Sequence, residues 1–360
     1  MTNDLQKFDD FPQIRKNIFD SVLNEFQQNN SVENDKIRLQ LDDIKYDQNK
    51  EYSLDDQKKA LLKNQDLSWR LSGTWKLIDK DTNNVLETRH DTIAHVPYIT
   101  NRGTFIRGGN EYTVVNQLRL RPGVYTRKTA AGDLEAHFNV KPGTGSSFRV
   151  HLDPESGKFF FVMGQAKVPL YPVLRTLGVL DKDLHNEWGS DLFKVNQTEN
   201  EKAIKRLYSH LNLRATDPSE LSKSFVNKIL GMKLDPLVTQ STLGLPSENI
   251  NPAVMLAATR KLLALNRKEA EPDDRDSLEF QTIHSFDDFL KERIKRDKNN
   301  VFKGLLFRVQ MRNKSLKGVP NSILDEYVNQ VFRSSFAMPL EEINPIEIAD
   351  QHYRTVRLGE

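Results

Sequence analysis

Val96–Tyr125 reads VPYITNRGTFIRGGNEYTVVNQLRLRPGVY. A strand-like run at Gly103–Ile106 meets the pair Gly108-Gly109, and an alternating run through Tyr112, Val114 and Leu118 follows. A doubled glycine between β-branched and aromatic runs marks a hairpin, because glycine reaches positive φ without a Cβ clash. A basic segment then closes on Pro122-Gly123, a second turn signal. This reading is local and names no function.

Upstream, Phe8, Phe11, Ile14, Ile18, Phe19, Val22, Leu23 and Phe26 recur mostly at three- and four-residue spacing and predict an amphipathic helix. Ile37, Leu39 and Leu41 alternate inside the charged Glu33–Tyr52, which predicts an extended segment. Leu71–Asp81 and Asn84–His95 read as two strands about the turn Asp81–Asn84. His90 and His95 are five apart on a strand, so they face opposite ways and make a poor metal pair.

Downstream, strands are expected at Glu135–Val140, Phe148–Leu152 and Phe159–Met163, with turns at Lys141–Gly145 and Asp153–Lys158. Gly143–Ser146 lacks the Lys-Ser/Thr of a phosphate-binding loop and reads as a hairpin loop. Helices are expected at Tyr171–Leu177, Ala203–Leu211, Leu221–Leu230 and Pro252–Leu265, the last entered through Asn251 and a first-turn proline. Asp273-Asp274-Arg275-Asp276 lacks the spacing of a calcium loop and reads as capping within a linker. Phe289–Arg296 and Val301–Arg312 read as two basic amphipathic helices, followed by a helix at Ile323–Phe332. Short strands before residue 165 and helices after 200 imply an α+β fold with two mixed domains.

The chain has 360 residues, with 52 basic side chains against 50 acidic and a net charge of +2. A free-standing, strongly basic DNA binder would show a larger excess, so any nucleic-acid contact must come from local patches or a larger assembly. The absence of cysteine excludes disulfides, cysteine nucleophiles and cysteine-ligated metals. No apolar run approaches the roughly 20 residues of a membrane span, and the N-terminus lacks signal-peptide character, so a cytoplasmic or virion-packaged protein is expected. Nucleotidyl transfer needs clustered carboxylates holding two metal ions about 4 Å apart. No such cluster is evident, and no autonomous active site is expected.

GTFIRGGNEYTVVNQLRLRPGVY resembles the N-terminal part of the β subunit of multisubunit RNA polymerases, whose pattern runs near GTFxxNGxERVxVSQLxRSPGVxF. Gly103, Thr104, Phe105, Gly109, Glu111, Val115, Gln117, Leu118, Pro122, Gly123 and Val124 match. Gly108, Tyr112, Asn116 and Leu120 depart from it. The likeness extends through Leu174, Arg175, Leu177 and Gly178, which match the family's xLRxLG helix end. DDRDSLEFQTIHSFDDFLKERI is similar to the family segment that returns from the lobe to the protrusion, with Asp273, Asp274, Asp276 and Leu290 in place. INPIEIADQHYRTVRLGE resembles the fork segment NPLxEIxHxRRxSxLGxGG, matched at Asn344, Pro345, Arg354, Leu358 and Gly359.

The resemblance implies a protrusion with an inserted lobe: residues 1–118 and 295–337 protrusion-like, 119–294 lobe-like, and 338–360 the start of the fork. It implies nucleic-acid contacts by Arg119, Arg121, Arg127, Lys128, His352, Arg354 and Arg357. It also implies a fork wall, where rifamycins bind in the family, formed by Gln117, Asn344, Pro345, Gln351, Arg354 and Leu358. Gln351 and Val356 at wall positions imply weak rifamycin binding. Catalysis would come from partner chains carrying the rest of β and a β′-like subunit, with Mg2+ on the latter and no cofactor on this chain. DNA template and RNA–DNA hybrid would be further partners of the hetero-oligomer. Split β subunits of this kind resemble those of some large bacteriophages. A regulator that binds polymerase or DNA, or a structural virion protein keeping the β fold, are the alternatives.

Overall fold

The computed structural model describes residues 10–357 apart from 29, 49, 131, 199–204, 206 and 210–217. Phe8, Leu358 and most of the expected helix Ala203–Leu211 therefore lie outside the described residues. The chain forms two compact units, Met1–Arg119 with Ile283–Glu360, and Leu120–Thr282. Both mix helices and antiparallel sheet, and the fold class is α+β as the pattern of elements implies.

The first unit begins with helix α1 (Phe11–Gln28), which buries Ile18, Phe19, Val22 and Phe26 on one stripe. Strands β1 (Ser31–Glu33) and β2 (Ile37–Tyr46) follow, then α2 (Leu54–Leu62), β3 (Ser68–Asp79) and β4 (Val85–Pro97). A reciprocal capping box between Ser53 and Asp56 opens α2. β1 to β4 form a meander in sequence order, with Leu39, Leu41, Trp75, Leu77 and Ile93 buried in its core. β5 (Phe105–Arg107) and β6 (Asn110–Val114) are the expected hairpin, turning on Gly108 and Gly109 at φ 53° and 74°. β7 (Asn116–Leu120) then carries the chain toward the second unit.

In the second unit, β8 (Gly123–Lys128), β9 (Leu134–Asn139), β10 (Phe148–Leu152), β11 (Phe159–Met163) and β12 (Ala166–Pro169) make a five-stranded antiparallel sheet. Among its described helices are α3 (Leu170–Thr176), α4 (Asp181–Asn196), α5 (Pro218–Leu230), α6 (Pro236–Leu243) and α7 (Pro252–Asn266). Alternation decides the faces: Phe138, Phe148, Val150 and Phe161 pack inward with Val254, Met255, Ala258 and Leu262 of α7 in one core. Asn251 caps α7 by accepting from the Val254 amide at 2.9 Å, with Pro252 in the first turn. The linker aspartate Asp273 ties its segment to the sheet rather than capping a helix. Asp273 Oδ2 accepts from the amide and the hydroxyl of Thr126 at 2.7 Å each, and Oδ1 accepts from Lys261 Nζ at 2.6 Å, holding the segment onto β8.

β13 (Gln281–His284) follows, and the first unit is completed by α8 (Phe286–Met311), α9 (Asp325–Phe332), β14 (Ala337–Pro339), α10 (Pro345–Tyr353) and β15 (Thr355–Val356). β14 pairs with β6, and a further small sheet runs in the order β13–β7–β15. One expectation is corrected here. The two helices expected at Phe289–Arg296 and Val301–Arg312 are a single helix of 26 residues. The segment between them, Asp297–Asn300, contains neither glycine nor proline, so nothing breaks the backbone ladder. Lys298 within this helix is buried. Its Nζ donates to the Glu25 carbonyl in the last turn of α1 and lies 5.1 Å from the Phe26 ring centroid.

Gly123 has no room for a side chain, since an added Cβ would lie 2.2 Å from Val238 Cγ1 of α6. Replacing it with alanine is expected to cost about 1–3 kcal/mol through overpacking. The check is a urea titration, in which Gly123→Ala should lower the unfolding midpoint of the second unit.

Candidate nucleic-acid interface

The sequence-predicted site residues fall in both units. In the first unit β15 lies parallel to β7, with Thr355 opposite Asn116 and Val356 opposite Gln117. Asn116 joins the two segments twice: its amide donates to the Arg354 carbonyl at 3.0 Å, and its Nδ2 to the His352 carbonyl at 3.2 Å. The structure thus brings the pair Gln117 and Arg119 together with the pair His352 and Arg354, more than 200 residues further along the chain. Asn116, a departure from the family pattern, is the residue that sequence reasoning passed over. An amide there offers a donor long enough to reach the facing backbone, and that was the available signal.

The side chains in this cluster are differently employed. Gln117 is buried and its Oε1 accepts from Arg119 Nε at 2.5 Å. Arg119 also donates to Glu292 Oε2 at 2.6 Å, and its guanidinium lies 5.3 Å from the Phe289 ring centroid. His352 packs edge-on against Phe11 and its Nε2 meets the Arg102 carbonyl. Burial, with Arg102 nearby, lowers its pKa and favours the neutral ring. Gln351 is buried and forms a two-way bridge to Glu341, accepting from its amide at 3.1 Å and donating to its carbonyl at 2.9 Å. Asn344 caps α10, its Oδ1 accepting from the Glu347 amide at 2.8 Å, and Pro345 occupies the first turn; both are exposed. Arg354 is half-buried and pairs with Asp350 at 2.8 Å one helical turn away, while Arg357 lies exposed beyond β15.

The remaining three residues lie in the second unit. Arg121 Nε donates to the Gln281 carbonyl at 3.2 Å, with Asp235 at 3.9 Å from Nη1. Its own carbonyl accepts from the buried Tyr125 hydroxyl at 2.9 Å. Arg127 Nε is bound to Glu135 Oε1. Lys128, exposed at the end of β8, makes no ion pair among the described residues.

Glu135 is the electrostatic centre of the sheet face that looks away from the apolar core. It is 0% exposed, with Arg149 at 3.6 Å and His151 at 3.0 Å from Oε2. The strand register places His137 opposite Tyr125 on one side and Arg149 on the other. Burial, reinforced by the positive Arg275, pushes the His137 pKa down to about 4. Burial likewise lowers that of His151, although Glu135 opposes it. Both rings are therefore neutral at neutral pH, and the cationic character of this face rests on its arginines and on Lys167.

Elsewhere, His90 meets Thr74 at 3.2 Å and His95 meets Asp325 at 2.7 Å. Among the described residues no group of three or more His, Asp or Glu is arranged to hold a metal ion, and no helix is long and apolar enough to cross a membrane.

No family model matches the chain. It is 25% identical over 268 residues to the DNA-directed RNA polymerase subunit beta of Chaetosphaeridium globosum, covering 68% of this chain and 25% of that one. To the subunit beta of Rhodomonas salina it is 24% identical over 322 residues, 79% of this chain and 28% of the relative. A shorter stretch of 86 residues, 24% of this chain and 7% of the relative, is 36% identical to the Thermotoga petrophila subunit beta. Over part of its length the chain is therefore similar to polymerase β subunits, and it spans about a quarter of the length of the first two of these relatives.

A histidine held at a pKa of about 4 against an ordinary 6.5 binds fewer protons folded than unfolded between those values. Stability is full above about pH 6.5 and falls as the pH drops toward 4. His137→Gln should flatten that slope in urea titrations between pH 6.5 and 4.5.

Proposed function

We propose that this chain is an N-terminal β-like piece of a multisubunit DNA-directed RNA polymerase. In this reading the first unit corresponds to the protrusion with the start of the fork, and the second to a lobe inserted in it. Chemistry is supplied by partner chains, one carrying the rest of β and one β′-like and holding Mg2+, as in a split phage-type enzyme. The observation that carries the reading is the β7–β15 pairing, which joins the two segments most like the family's motifs. The similarity to β subunits over most of the chain supports the same assignment.

The role assigned to the chain is to line the path of nucleic acid. Contacts from Lys and Arg to phosphate are independent of sequence, which suits a wall past which DNA slides. Lys128 is available for such a contact as it stands. Among the described residues Arg354 is held by an i,i+4 surface pair with Asp350, weak enough for phosphate to displace. Arg119 and Arg127 are tied to Glu292 and Glu135 and act by shaping the wall.

Purification of the tagged chain from its native source should recover β-remainder and β′-like chains that extend an RNA primer in a magnesium-dependent manner. Recovery of host polymerase alone, or of capsid proteins alone, would overturn the assignment. In that complex Lys128→Ala and Arg354→Ala should each reduce the slope of log affinity for DNA against log salt by about 1, whereas Arg119→Ala should leave it unchanged. Rifamycin should bind weakly, since Gln351 is committed to Glu341; a submicromolar affinity would refute this.

A further inference from the structure

The C-terminal half of α8 leaves one face unexplained by the fold. Phe302, Leu305, Leu306 and Val309 are buried in the core of the first unit. At about 100° per residue, Phe307, Met311 and Gly304 fall together on the opposite side. Phe307 is 58% exposed and Met311 67%. They are one turn apart, so they form a continuous apolar strip rather than two scattered residues.

Gly304 lies in the interior of this helix, where glycine costs about 0.5–1 kcal/mol relative to alanine. Nothing in the fold accounts for it, because an added Cβ would meet no atom within 4 Å. What the glycine provides is a notch beside Phe307, shallow enough for an incoming side chain to approach the helix backbone. Lys303 flanks the strip on one side, and Arg308 and Arg312 on the other. None of the three makes an ion pair among the described residues. Arg308 and Arg312 complement the helix dipole at this end, but a dipole gives no reason for exposed Phe and Met beside them.

We propose that this face of α8 docks an acidic helical segment of a protein partner, whose apolar side chains cover Phe307 and Met311 and fill the notch at Gly304. Charge complementarity selects the occupant: three cations with no ion pair among the described residues rim the strip, and carboxylates on the partner would meet them. A phosphate backbone would satisfy the cations and leave the apolar strip uncovered. The inference concerns residues other than those assigned to the nucleic-acid wall and does not depend on the polymerase assignment.

The test uses the full-length chain and a fluorescein-labelled, helix-stapled peptide with Leu at i, i+3 and i+7 and Glu at the flanking positions. Fluorescence anisotropy should give a saturable affinity that weakens with salt. Phe307→Ser with Met311→Ser should weaken it at least about tenfold, as should Arg308→Glu with Arg312→Glu. Gly304→Leu, which fills the notch and favours the helix, should weaken binding without lowering the thermal midpoint. A peptide of equal charge with Ser in place of Leu should bind at least about tenfold more weakly. Absence of binding, or equal binding by the Ser peptide or by the Phe307/Met311 variant, would overturn the proposal. So would self-association of the chain that Phe307→Ser abolishes, or tighter binding of a single-stranded oligonucleotide that depends on Phe307.

Discussion

The parallel pairing of β7 with β15 is the constraint on which the candidate interface depends. Two hydrogen bonds from Asn116 fix it, one from the main chain and one from the side-chain amide. Residues far apart in sequence are drawn into one cluster, and the loop that separates them has to be closed at an entropic cost that local contacts cannot offset. The cost is met by large buried surfaces: the β1–β4 sheet packed with α1 and α8, whose rings include Phe26, Trp75 and Phe302. Around that pairing the chain is pinned by short polar ties, Gln351 to Glu341 and His352 to Arg102.

Charge is distributed unevenly between display and construction. The arginines of the basic segment look alike in sequence, but the fold employs them differently. Arg119 is sandwiched between a carboxylate and an aromatic ring, Arg127 compensates a fully buried Glu135, and Arg121 supports the turn that Tyr125 closes. A buried carboxylate without such partners would be strongly destabilising, so Arg127 and Arg149 are needed where they are. Lys128, the next residue along β8, faces solvent and makes no ion pair among the described residues. Neighbours in sequence thus differ in what they can offer a phosphate, because strand alternation and one buried glutamate separate them.

Local chemistry made the β5–β6 hairpin, the strands of the second unit and the capped helix α7 legible. Gly108-Gly109, the turn Asp153–Gly157 and Asn251-Pro252 act over a few residues and need no tertiary information. The continuity of α8 was not legible. Lys298 reads as surface because lysine is seldom buried, and only the carbonyl at the end of α1 and the rings of Phe26 and Phe302 make its burial tolerable. The role of Asp273 was not legible, since a bond to Thr126, 147 residues away, cannot be read from spacing.

By itself the sequence determined the α+β class, the placement of most strands and helices, and the motif resemblance, because these rest on periodicity, turn chemistry and residue order. Tertiary structure alone decided which cations are free, that Gln351 and His352 turn inward, and that Phe307 and Met311 turn outward. The reason is physical. A side chain's partners are set by what the rest of the chain brings within a few ångströms, and period and propensity carry no information about that.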